Sequence, residues 1–142
     1  MKINRSGSAT WTGGFKDGKG AVSTQTGALK AYPYSSASRF EAASGTNPEE
    51  LIAASHAGCF TMALSLMLGE AGLTAERLDT TAVVTLEQIQ GGFSITTVHL
   101  TLKAKIPGAN EATFQSIAAK AKANCPVSKL FKADITLDAQ LV

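Results

Sequence analysis

The chain has 142 residues, 44% of them hydrophobic and 17% charged, which is long and apolar enough for one domain, residues 1–142, with a buried core. Its formal net charge of +2 comes from scattered Lys and Arg, so it lacks the concentrated basic surface of a nucleic-acid binder. The opening residues MKINRSGSATW contain no apolar h-region, which argues against a secretory signal; the expectation is a cytoplasmic protein whose two cysteines stay reduced and open to chemistry.

Ile3 to Trp11 alternates, with Ile3, Gly7, Ala9 and Trp11 on one face, and reads as a half-buried strand. The turn-rich TGGFKDGKG leads to a second strand, Gly20 to Thr24, and Thr26-Gly27 leads to a third, Ala28 to Tyr32, completing an antiparallel meander. Pro33 to Thr46 is rich in Ser, Ala and Gly and reads as a loop or broken segment. It holds Arg39, one of three arginines, which is either a solvated side chain or a functional one.

The stretch from Glu49 to Gly72 is the one long apolar run. Asn47 suits the N-cap, Pro48 the first helical position, Glu50 the fourth corner of a capping box, and Gly72 a left-handed stop. No charge occurs between Leu51 and Leu68 and apolar residues point in every direction, so the helix should be covered on all sides. A membrane span of this length competes, but Ser55, His56, Gly58, Thr61 and Ser65 dilute the run and strand patterns fill the rest of the chain.

Beyond the helix, Leu78 to Ile89 alternates, Gln90-Gly91-Gly92 reads as a hairpin turn, and Val98, Leu100, Leu102, Ala104 and Ile106 form the inward face of a returning strand. Phe93 and Ile95 are out of phase with that set, which predicts a bulge near Thr96. His99 falls on the polar face as a solvated strand residue. Asn110 caps a helix from Glu111 to about Ala123, with Phe114, Ile117, Ala118 and Ala121 inward. Pro126 starts a short helix with Cys125 as its N-cap, and Ala133 to Leu141 is a last strand burying Ile135, Leu137, Ala139 and Leu141. Antiparallel strands beside segregated helices argue α+β, and one small sheet cannot cover an all-apolar helix, so a second copy is expected to complete the cover as a homodimer.

Cys59 lies within the long helix and Cys125 at a helix boundary. They form no C-x-x-C, and with two histidines they support no closed zinc site. Cys59 alone reads equally as a small core residue, whereas backbone N–H groups at a helix start favour a thiolate at Cys125.

Trp11-Thr12-Gly13-Gly14, Asn47-Pro48-Glu49-Glu50-Leu51, Ser55-His56-Ala57-Gly58-Cys59-Phe60 and Cys125-Pro126-Val127-Ser128 together resemble the osmotically inducible protein C (OsmC) and organic hydroperoxide resistance (Ohr) family. The resemblance spans essentially the whole chain. It implies an intertwined α+β homodimer, with antiparallel sheets wrapped around a central buried helix. It also implies a thiol peroxidase that reduces organic hydroperoxides in oxidative or osmotic stress defence. Cys59 matches the peroxidatic cysteine, Cys125 the resolving cysteine and Glu49 the active-site glutamate. The Ohr branch carries its arginine in the loop after the first strand, which here reads Gly14-Phe15-Lys16-Asp17-Gly18; Arg39 matches the arginine of the OsmC branch.

Chemistry follows from these residue types. Peroxide reduction needs a thiolate, which a permanent positive charge on Arg39 would favour, with Glu49 holding the guanidinium fork. Sulfenic acid on Cys59 would be displaced by Cys125 to a disulfide, reopened by an external dithiol such as a lipoyl protein or a small thiol. No metal, flavin or haem is required. Glu49 and Cys59 are ten positions apart, about 15 Å along an unbroken helix, so Glu49 and Arg39 are expected to act in trans. His56, one turn before Cys59, is either core packing or a general base; Leu51, Phe60, Met62 and Met67 are either core or the lining of an apolar peroxide pocket. The rival function is a dimeric apolar-ligand-binding or redox-sensing protein without turnover; a general disulfide oxidoreductase is weakened by the missing C-x-x-C.

Overall fold

Short alternating segments and polar turns make the N-terminal third a small sheet. The computed structural model describes all residues, Met1–Val142, as two compact units, Met1–Leu51 and Ile52–Val142. In the first, β1 (Gly7–Thr12), β2 (Lys19–Thr24) and β3 (Tyr32–Tyr34) form an antiparallel sheet in that order, with Gly7 opposite Thr24 and Gly20 opposite Tyr34.

Two boundaries differ from the sequence reading. Residues before Gly7 are outside β1, whose six residues are all exposed, so Ile3 and its predicted face are unburied in this unit. β1 pairs only with β2 and carries Gly, Ser and Thr beside Trp11, too little apolar surface to bury a face by itself. The third strand begins at Tyr32, because Thr24 and Leu29 close the turn through both a backbone bond (2.9 Å) and the Thr24 hydroxyl (3.1 Å), and Ala31 takes a positive φ of 46°. Pro33 fits β3 because an edge strand tolerates a missing N–H.

The predicted loop contains a one-turn helix, α1 (Ser36–Phe40). Ser35 is its N-cap and Ser38 takes the third-position role that Glu or Gln usually fills: each serine hydroxyl accepts from the other's backbone N–H, at 3.1 and 2.8 Å. The buried Ser38 hydroxyl also donates to the Thr46 carbonyl at 2.7 Å, which ties α1 to the entry of the long helix.

That helix, α2 (Pro48–Glu70), starts as predicted, with the Glu50 N–H donating to Asn47 Oδ1 at 2.9 Å. The Glu50 carboxylate accepts from the Thr46 hydroxyl at 2.5 Å. At the other end Gly72 has φ 74° and the Leu73 N–H reaches back to the Leu68 carbonyl at 2.9 Å, a Schellman stop.

The second unit holds most of α2, β4 (Arg77–Ile89), β5 (Gly92–Lys105), α3 (Glu111–Asn124), α4 (Pro126–Leu130) and β6 (Asp134–Leu141). The β4–β5 hairpin turns at Gln90-Gly91, and pairing jumps from Thr85–Thr97 to Leu86–Ile95, which leaves Thr96 as the expected extra residue. β6 pairs with β5 in parallel, where the sequence reading supplied only antiparallel strands. The chain between them passes through α3 and α4, a connection long enough to return in the same direction.

Phe60, Leu64 and Leu68 of α2, one turn apart, pack with Leu100, Leu102, Ala104, Phe114, Ile117, Ala118 and Ala121 in one cluster. Full burial of each larger side chain stabilises the unit by about 1.5–3 kcal/mol. By length and composition α2 is able to cross a bilayer, yet this stripe faces protein. Its other face is open: Met62 is 75% and Leu66 65% exposed, so one chain does not supply the all-round cover expected from the sequence. His99 is exposed and its Nδ1 lies 2.6 Å from the Thr136 hydroxyl of β6.

Candidate active site

Both cysteines are free thiols in the second unit, Cys59 half-buried and Cys125 fully buried. The sequence places them far apart; the fold brings them close enough for Cys125 to bear on the ionisation of Cys59. Burial pushes the Cys59 thiol up from its ordinary range. A hydrogen bond from the Val127 backbone N–H opposes that, and the neighbouring Cys125 reinforces it.

The α3–α4 break makes this meeting possible. Cys125 leaves helical geometry (φ −60°, ψ 133°), ends α3 through its N–H to the Ala121 carbonyl at 3.0 Å, and caps α4, whose first residue is Pro126. Its sulfur accepts from the Ser128 N–H at 3.4 Å and lies 3.3 Å from the Ser128 hydroxyl. That hydroxyl in turn sits 2.7 Å from His56 Nε2. The His56 ring is completely buried, edge-on to Phe131 at 5.1 Å between centroids, and its Nδ1 has no hydrogen-bond partner. Burial lowers the His56 pKa, so the ring is held neutral. Leaving a buried polar atom unpaired costs about 1–3 kcal/mol.

Arg39 and Glu49 meet in the first unit. Arg39 Nη2 donates to Glu49 Oε1 at 2.6 Å and Nε to both carboxylate oxygens at 3.1 and 3.2 Å, the predicted fork. The guanidinium also lies 5.3 Å from the Phe40 ring centroid. Beside it is a cavity of about 200 Å³ lined by Trp11, Phe15, Tyr34, Ser35, Arg39 and Pro48. Trp11 and Tyr34 meet edge-on there at 5.4 Å, across Gly20, where an added Cβ would come within 2.3 Å of the Tyr34 ring and 2.7 Å of the Trp11 ring.

The structure therefore assembles the four predicted residues as two pairs, Cys59 with Cys125 and Arg39 with Glu49. Met62 is exposed and Phe60 belongs to the core cluster, with Met67 packed at its margin. Sequence reasoning gave Ser128 and Phe131 no role and left His56 as core packing or a base one turn from Cys59; the ring is buried and its polar contact is the Ser128 hydroxyl beside Cys125. The available signal was the Ser three residues after a capping Cys, a position whose N–H and side chain both face the cap. No three His, Cys, Asp or Glu side chains converge as a metal-ligand set.

Two three-stranded sheets, a long helix with a half-open face and a pair of free thiols, one buried and one half-buried, define an α+β dithiol protein. The chain belongs to the OsmC-like protein family, whose model matches residues 41–140. It is 55% identical over 141 residues to the Peroxiredoxin OsmC of Escherichia coli (strain K12), covering 99% of each chain. To the Organic hydroperoxide resistance protein of Xanthomonas axonopodis pv. citri it is 33% identical over 98 residues, 68% of this chain and 67% of that one. The solved OsmC-like protein of unknown function from Vibrio cholerae shares the fold at a TM-score of 0.79 and 16% identity, covering 98% of this chain and 100% of that one.

Proposed function

We propose that this chain is a thiol-dependent peroxidase that reduces organic hydroperoxides to alcohols. The observation that carries the reading is the proximity of two free thiols, Cys59 and Cys125, which no local motif brings together and of which one bears on the other's ionisation. The family relatives named for peroxiredoxin activity and organic hydroperoxide resistance support the same chemistry. Cys59 as thiolate attacks the distal peroxide oxygen; the O–O bond breaks, the alkoxide takes a proton as alcohol, and Cys59 becomes a sulfenic acid. Cys125 then displaces water to form the Cys59–Cys125 disulfide. An external dithiol, a lipoyl protein or a small thiol, reopens it.

Within its own chain Cys59 is pushed towards the unreactive thiol, and its N–H partner at Val127 is uncharged. A permanent cation is the missing part. We assign this role to the Arg39–Glu49 pair of a second copy, seated on the open face of α2 that carries Met62 and Leu66. A homodimer of this kind completes the site and covers the apolar stripe together. The cavity walled by Trp11, Phe15 and Tyr34 then offers an apolar recess beside the guanidinium for the organic part of the peroxide.

The test is dithiol-coupled consumption of cumene and tert-butyl hydroperoxide by wild type and Cys59→Ser. Turnover abolished by the substitution is the expected result. Binding of the peroxide without turnover in wild type would instead favour the ligand-binding or sensing function.

A further inference from the structure

The peroxidase reading leaves one buried group unused. His56 is completely enclosed and has one polar contact, the hydroxyl of Ser128, while its Nδ1 has none. Ser128 joins that ring to a thiol, and the thiol is Cys125, whose sulfur lies against the Ser128 hydroxyl. The three atoms form a line: His56 Nε2 to Ser128 Oγ at 2.7 Å, and Ser128 Oγ to Cys125 Sγ at 3.3 Å. No ion pair reaches it; the chain's salt bridges are Arg39–Glu49, Arg77–Asp79 and Lys105–Glu76. The titratable groups joined through these contacts are the imidazole and the Cys125 thiol.

We propose that Ser128 and His56 form a proton relay that activates Cys125 for the second chemical step, with Ser128 touching the reacting sulfur and His56 acting as a positioning residue through it. This rests on the peroxidase reading above and adds the residues that drive its resolving half.

The resolving step requires a Cys125 thiolate, and no cation within the cluster stabilises one. In the relay Cys125 S–H donates to Ser128 Oγ, whose own O–H donates to Nε2 of His56, with the ring proton on Nδ1. Transfer along the line places a proton on Nε2 and leaves the sulfur as thiolate, accepting from both the Ser128 hydroxyl and the Ser128 N–H. The thiolate electron pair attacks the sulfur of the Cys59 sulfenic acid. The S–S bond forms, the S–O bond breaks, and hydroxide leaves; with the proton returned from His56 it becomes water. One sulfenic acid and one thiol give one disulfide and one water, with no further oxidant. A neutral imidazole keeps a lone pair on Nε2 to take the proton, and burial, which disfavours the charged ring, drives the proton back once hydroxide leaves. The Phe131 edge holds the ring so that Nε2 stays on the hydroxyl.

The experiment separates the two half-reactions in the full chain. Wild type, Ser128→Ala, Ser128→Thr and His56→Gln each receive one equivalent of cumene hydroperoxide, and quenched samples are resolved by mass into dimedone-trapped Cys59 sulfenic acid and the disulfide, which has lost two hydrogens. In Ser128→Ala and His56→Gln, sulfenic acid should form within about twofold of wild type while disulfide formation slows by about tenfold or more at pH 7, the scale of lost general-base help. The deficit should shrink as pH rises towards the ordinary thiol range, and Ser128→Thr, which keeps the hydroxyl, should restore the wild-type rate and profile. Unchanged disulfide rate and pH profile in His56→Gln and Ser128→Ala overturn the relay. If Ser128→Ala does not fold, an unchanged His56→Gln overturns it alone. Wild type that forms neither product removes the peroxidase reading itself, whereas normal wild type with normal variants removes only the relay.

Discussion

Replacing Arg39 with glutamine removes the permanent charge assigned to the peroxidatic thiol while keeping a side chain able to hydrogen-bond Glu49. Burial already raises the Cys59 pKa in its own chain, and a thiol at the ordinary value of about 8.5 is only about 3% thiolate at pH 7. An opposite charge close by lowers such a pKa by about 1–3 units, which takes the thiolate at pH 7 from a trace to between about a quarter and nearly all of the population. The second-order rate constant for cumene hydroperoxide should therefore fall by about 10- to 30-fold in Arg39→Gln at pH 7. The sign is diagnostic: wild type should rise much less between pH 7 and 9 than the variant, which should climb over that range and close most of the gap. Any deficit left at pH 9 measures how far the guanidinium polarises the peroxide oxygens rather than how it ionises the thiol. Stopped-flow thiolate absorbance with peroxide consumption from pH 6 to 10 reads both quantities. An Arg39→Gln protein with the wild-type rate and profile would refute the assignment of the cation.

If the Arg39–Glu49 pair acts in trans, inactive Cys59→Ser and Glu49→Ala proteins refolded together should recover about a quarter of wild-type activity, since half the dimers are mixed and each has one intact site; no recovery refutes the shared site. Met62→Lys together with Leu66→Asp places charge on the open stripe of α2 and should leave a folded monomer with little turnover, read by light scattering beside the peroxide assay. His56 has a folded pKa below its unfolded one, so the unfolded chain binds the extra proton: the stability it contributes is present above about pH 6.5 and is lost as pH falls below it. Thermal melts of wild type should decline from pH 7 to 5 more steeply than those of His56→Gln. Phe60→Ala empties the centre of the α2 core stripe and should cost about 3–5 kcal/mol in denaturant unfolding.

How far these elements were legible in the residues differs by mechanism. Signals that act within a few residues were readable: Asn47 capping α2, Gly72 ending it, Asn110 capping α3, Cys125 at the α3–α4 break, and the phase slip at Thr96. Each depends on one turn of backbone geometry or on the two-residue period of a strand. The α1 turn escaped because a serine hydroxyl replaced the usual carboxylate in its capping box, and β3 shifted because the Thr24–Leu29 turn consumed residues that alternate like a strand.

The sequence by itself determined the α+β class, the helix that carries Cys59, the helix break that carries Cys125 and, through its motifs, the family. Only the tertiary structure decided that these thiols come close enough to bear on each other's ionisation, that β6 returns parallel to β5, and that the buried His56 ring meets the Ser128 hydroxyl beside Cys125. The reason is range: caps and periodicities are written in neighbouring residues, whereas a contact between a helix and a distant turn is settled by how side-chain volumes fill one core, which no local pattern encodes.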